Sequence, residues 1–162
     1  MPVPAVIAAA AENYRFNSGL LEKTVSDLSP EEWLRRPSEN LNHIAWIVGH
    51  AAWTRGRILH YLEAEWPQPA LDIFSRGQKL QEDAAYPSPD SLLSAWRESD
   101  EVLKRALENV SEETLAKPSV QGPPSADGKI SGLVNFLAVH ETYHIGQASY
   151  LRAWLGRKGL MG

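Results

Sequence analysis

His140-Glu141-Thr142-Tyr143-His144-Ile145-Gly146-Gln147 lies inside an uninterrupted helical segment running from about Ser131 to Leu155. Within it Leu137, His140, His144, Gln147 and Leu151 recur at spacings of 3, 4, 3 and 4, the inward stripe of a helix in a bundle. Two imidazoles one turn apart on such a stripe are close enough to share an ion. Without partners they would be costly to bury. The alternative is a pair of core histidines bonded to carbonyls or carboxylates.

The rest of the chain reads in the same period. Ile7, Tyr14, Leu21 and Val25 predict a first helix from about Pro4 to Asp27. Ser29-Pro30-Glu31-Glu32 is a capping box for a short element that Pro37 ends. A second long helix is predicted from about Leu41 to Glu63, closed by Pro67 and Pro69, and a third from Ser88-Pro89-Asp90 to Asn109. Gln68 to Pro87 reads as a looser connection, Ser111 to Thr114 as a short turn, and Ser119 to Lys129, with Gly122-Pro123-Pro124, as a loop. Gly156 caps the last helix, with Arg152, Arg157 and Lys158 near its negative end. Strand and repeat signals are weak. The expectation is all-α: one domain over residues 1–162, a four-helix bundle with crossover connections and short extra helical turns.

Ligands in a bundle core come from facing helices, so the pair on the last helix needs a third group upstream. Nothing downstream can serve, because no His, Asp or Glu follows His144. That excludes the zinc-protease patterns, which need a later Glu or His. His43, His50 and His60 all fall on the second long helix. His43 sits near its start, and His60 is about eighty degrees off the face of His50. His50, beside the small residues Gly49, Ala51 and Ala52, is the better ligand; His43 is assigned a structural or rim role.

Composition narrows the function. There is no cysteine, which excludes disulfides, iron–sulfur clusters and a thiol nucleophile from the protein itself. A net charge of −4, with no Lys/Arg run longer than two, argues against nucleic acid binding. No apolar run is long enough for a membrane span. The Met1–Ala11 stretch lacks a basic leader region and reads as the first helical turns, so the default location is the cytoplasm.

Asn42-His43-Ile44-Ala45-Trp46-Ile47-Val48-Gly49-His50 followed by Trp53, together with His140 to Gln147 and Tyr150-Leu151-Arg152, resembles the DinB/YfiT-like superfamily of metalloenzymes. The resemblance extends to Leu28-Ser29-Pro30-Glu31-Glu32 and Arg36-Pro37. It implies a divalent metal ion held by His50, His140 and His144 in a four-helix bundle. It also implies a homodimer, and a place among thiol-dependent S-transferases using bacillithiol, mycothiol or glutathione, or a mycothiol-dependent isomerase.

Three imidazoles leave coordination positions open, the catalytic arrangement. Zinc or nickel suits such ligands best, with iron or manganese as alternatives. With no cysteine in the chain, a thiolate would arrive on a small thiol cosubstrate. The leading expectation is therefore a metal-dependent enzyme, a thiol S-transferase or a hydrolase. The rivals are a non-catalytic metal-binding or stress-response bundle and a metal-free assembly protein. Glu141 is a candidate base, with a salt-bridged Glu as its alternative, and Gln147 a candidate for orienting water or substrate. Trp46 and Trp53, four before and three after His50, are candidate pocket walls, and Arg57, seven after it, a candidate partner for a ligand carboxylate. Six tryptophans are many for this length, and Trp33, Trp66 and Trp96, outside the expected site, are candidates for exposure to a partner subunit.

Overall fold

The computed structural model describes residues 2–78, 80–81, 85–120 and 123–160. Met1 and the Gly122 of the expected loop lie outside these. The four long helices are present: α1 (Ala8–Val25), α3 (Ile44–Tyr61), α4 (Pro89–Asn109) and α6 (Ile130–Trp154). Two short ones, α2 (Pro30–Leu34) and α5 (Glu112–Ala116), sit in the connections, and no strand is present among the described residues.

Local chemistry sets the boundaries. The Ser29/Glu32 box closes in both directions, each side chain meeting the other's backbone N–H; such a cap is worth about 1 kcal/mol. Ser88 and Ser111 cap α4 and α5 in one direction, their hydroxyls accepting from the N–H groups of Ser91 and Thr114. Before α6 the cap comes from Asp127. Its carboxylate accepts from the N–H groups of Lys129 and Gly132 and from the hydroxyls of Ser125 and Ser131. These bonds, led by Ser131, hold its pKa down at about 2. Gly156 takes φ 81, and the Arg157 N–H returns to the Arg152 carbonyl, which ends α6. The first helix differs slightly from expectation. Pro4 starts a 3-10 turn over Ala5–Ile7, and the α-helix proper begins at Ala8. The connection after α3 holds one short 3-10 turn, Asp72–Phe74.

Helix α1 packs on α6 and α4, and α3 on α4 and α6. So α1 and α3 lie diagonally, as do α4 and α6. The segments carrying α2 and α5 are the two crossovers. The core forms two apolar clusters, one around Trp33, Ile47, Phe74 and Trp96, the other around Tyr14, Leu59, Leu103 and Leu133. The first half of α3 and the second half of α6 share one cluster, so the two helices run antiparallel. A polar layer divides the clusters. In it the Arg55 guanidinium lies 3.5 Å from the Trp96 ring centroid. Its Nε donates to Glu141 at 2.7 Å, Nη1 to Asp100 at 3.1 Å and Nη2 to Ser18 at 2.8 Å. Trp33 and Trp96 are fully buried core residues, which corrects the expectation that they face a partner. Trp66 is partly buried against both clusters.

Candidate metal centre

Helix α3 presents His50 to α6, where His140 and His144 stand one turn apart. Ring centroids are 5.4 Å apart for His50 and His140, 4.8 Å for His50 and His144, and 4.5 Å for His140 and His144. One ring nitrogen from each lies within 4.8 Å of the others, a cluster that could hold a metal ion.

Hydrogen bonding orients the rings. The His50 Nδ1–H donates to the Phe74 carbonyl at 2.7 Å. The His144 Nδ1–H donates to the Gln147 Oε1 at 2.8 Å, and the Gln147 amide NH2 donates to Tyr143 at 3.1 Å. A carbonyl oxygen only accepts, so both Nδ1 atoms carry their hydrogens and both Nε2 atoms present lone pairs. The groups that bond the outer nitrogens of metal-bound histidines set the tautomer in this way. The Nε2 atoms of His140 and His144 face each other at 3.2 Å. With the His144 lone pair in that gap, a cation or a His140 proton must fill it. The buried His140 Nδ1 has no partner.

Packing also fixes His50. Trp46 stacks on it at 4.8 Å and 10°, and Trp53 at 5.9 Å and 20°. Gly49 allows this, because a Cβ there would meet the Phe74 ring at 2.5 Å, and Phe74 supplies the carbonyl that holds His50. Burial lowers the pKa of all three histidines. His144 falls to about 4 with help from the neighbouring imidazoles, and the charge of Arg76 adds to the effect at His140. All three are therefore neutral at pH 7, the ligating form.

A cavity of about 310 Å³ opens beside His50 and His140, between α3 and α6. Trp53 and Arg57 line it, as does Thr54. Trp46 does not: it is buried in the core and supports His50 from behind. Gln147 meets His144 rather than this cavity and lines a separate groove with Tyr143 and Tyr150. Glu141 is turned away. It is 1% exposed, both its oxygens accept from Arg55, and it does not line the cavity. The expectation of a proton-moving Glu141 finds no support in this geometry, which matches its salt-bridged alternative. His43 caps α3, its Nδ1 accepting from the Trp46 N–H at 3.0 Å, and His60 is exposed beside Tyr61, away from the cluster.

Three participants escape sequence reading. Phe74 contributes through its backbone, which leaves no side-chain signal. Arg76 sits in an aperiodic connection. Thr54 has a signal, being one helical turn after His50.

The sequence profile of the DinB superfamily matches residues 14–148, most of the chain and all three histidines. No curated protein shows a significant match to the chain.

Proposed function

The chain belongs to the DinB superfamily, and we propose that it is a divalent-metal-dependent enzyme, with His50, His140 and His144 as ligands and a small thiol as cosubstrate. The observation that carries the reading is the convergence of three neutral imidazoles, two of them with Nδ1–H groups held by carbonyl oxygens, beside an open cavity that His50 and His140 line. Zinc or nickel suits this nitrogen donor set, with iron or manganese as alternatives. A divalent ion bound there supplies Lewis acidity, lowering the pKa of a thiol or of water that reaches it.

The protein's own groups favour the thiol. No Asp or Glu lines the cavity among the described residues, so none of those carboxylates stands ready to take a proton from water. A thiol, with an ordinary pKa near 8.5, needs far less help than water. Gln147 keeps His144 in its ligating tautomer, and Trp53 and Phe74 keep His50 from turning. Hydrolysis is the second reading.

Protein purified without a His-tag should carry one divalent ion per chain, and His50→Ala, His140→Ala or His144→Ala should each lower metal content by about tenfold or more, while His60→Ala should not. Full occupancy in the His50→Ala protein overturns the ligand assignment. Small thiols should alter the visible spectrum of the cobalt-substituted protein. If they do not, and esters are cleaved instead, hydrolysis replaces thiol transfer.

A further inference from the structure

The cavity beside the histidines carries charge of one sign. Arg57 and Arg76 line it and no acid does among the described residues, in a chain whose net charge is −4. Arg15, Arg55, Arg97, Arg152 and Arg157 each hold a carboxylate. Arg57 and Arg76 hold none among the described residues, and the Arg57 guanidinium lies 5.6 Å from the Tyr61 ring centroid. Thr54, 4% exposed, lines the same cavity, and its hydroxyl is buried without a hydrogen-bond partner. The remaining walls, chiefly Trp53, Phe136 and Leu137, are apolar.

The order of these groups has a direction. His50, Thr54 and Arg57 follow one another along α3 a turn apart, which sets Arg57 about 10 Å from His50 along the axis. On the antiparallel α6, His140 and then Leu137 and Phe136 cover the same span. One end of the cavity is thus formed by imidazoles, the middle by apolar walls, and the other end by Arg57, while Arg76 lines the cavity where its charge reaches His140. Guanidinium prefers carboxylate, which it meets with two parallel N–H donors.

We propose that the cavity binds a small organic acid with an aryl or alkyl body, its carboxylate held by Arg57 and attracted also by Arg76, its body against Trp53 and Phe136, and its reacting end at the imidazoles. A volume of about 310 Å³ admits a molecule the size of a phenylpropionate. This names a substrate class for the site proposed above and rests on that reading for the reaction, but not for the binding.

Calorimetric titration with 3-phenylpropionate and with its neutral isostere 3-phenylpropanamide tests it, on the protein as purified and after chelation. The acid should bind about tenfold more tightly than the amide in both forms. Arg57→Met and Arg76→Met should each weaken the acid by about fivefold, at the low end for a charged hydrogen bond near solvent, and leave the amide within twofold. Both arginines are exposed, and unchanged circular dichroism would exclude misfolding. Equal binding of acid and amide overturns the proposal, as does failure of the acid to bind at millimolar concentration. So does a preference for the acid that survives both arginine replacements and vanishes on chelation, because the carboxylate then sits on the ion. Protein that carries no metal as purified, takes up none when divalent ions are added, and still prefers the acid through Arg57 and Arg76 would sink the metal reading and leave this one standing.

Discussion

At the scale of the residue, the histidines separate by what each nitrogen touches. His43 and His50 share a helical face seven residues apart, and periodicity alone does not divide their roles. Structure does, because the His43 Nδ1 accepts the Trp46 N–H at the start of α3 and so needs a free lone pair. Burial, with the charge of Arg36 second, lowers the His43 pKa to about 4, and His144 also falls to about 4. Both lie below the value near 6.5 of the unfolded chain. The unfolded state therefore takes up protons first as pH falls. Metal-free protein should keep its full stability above about pH 6.5 and lose it progressively toward pH 4. Urea midpoints at pH 7.5 and pH 5 measure this. His43→Ser keeps a good helix cap without a titrating group, and should shrink the difference between the two midpoints. An unchanged difference would show that His43 does not contribute.

At the scale of the element, the issue is the register of α3 against α6, the two helices that carry the imidazoles. Arg55 lies five residues after His50 and Glu141 one after His140, and the two join in a buried bidentate ion pair. Ser18 and Asp100 extend the network to α1 and α4, with Ser18 also bonded to Asp100. An ion pair in such a place is weak evidence of net stabilisation, but breaking it leaves a buried charge without its partner. Glu141→Ala should cost about 3 kcal/mol in urea unfolding, moderated by the remaining Asp100. Metal affinity should fall as the helices lose their register. Glu141→Gln keeps the shape and should weaken both properties less, with no change in the pH dependence of any turnover. If instead Glu141→Gln left stability intact and shifted the pH profile, Glu141 would be a proton carrier after all.

At the scale of the whole molecule, α6 leaves an apolar strip outside the bundle. Val139, Tyr143, Tyr150 and Trp154 are all exposed and share its outer side. No described helix is long and apolar enough to cross a membrane. We propose that this strip pairs two copies in a homodimer, in place of the tryptophans that sequence reading favoured. Light scattering at micromolar concentration should give twice the chain mass, and Tyr150→Glu should return it to one. A wild-type monomer under those conditions rules the dimer out.

The helices, their caps and the inward stripe of α6 were legible in the sequence because each depends on neighbours a few residues away. The Ser29/Glu32 box, the stop at Gly156 and the His140/His144 pair are all of that kind. The choice of His50 over His43 and His60 was legible too, from the small residues around it. The rest depended on which distant segments meet. Glu141 finds Arg55 across 86 residues, and His50 finds the Phe74 carbonyl across 24. Neither pairing leaves a periodic trace, since the packing of two helices is set by the whole core and a backbone acceptor is the same for any side chain. The sequence alone therefore determined a bundle with histidines facing inward. The tertiary structure decided which groups hold those histidines, which carboxylate was withdrawn from them, and that two arginines without a carboxylate partner among the described residues line their cavity.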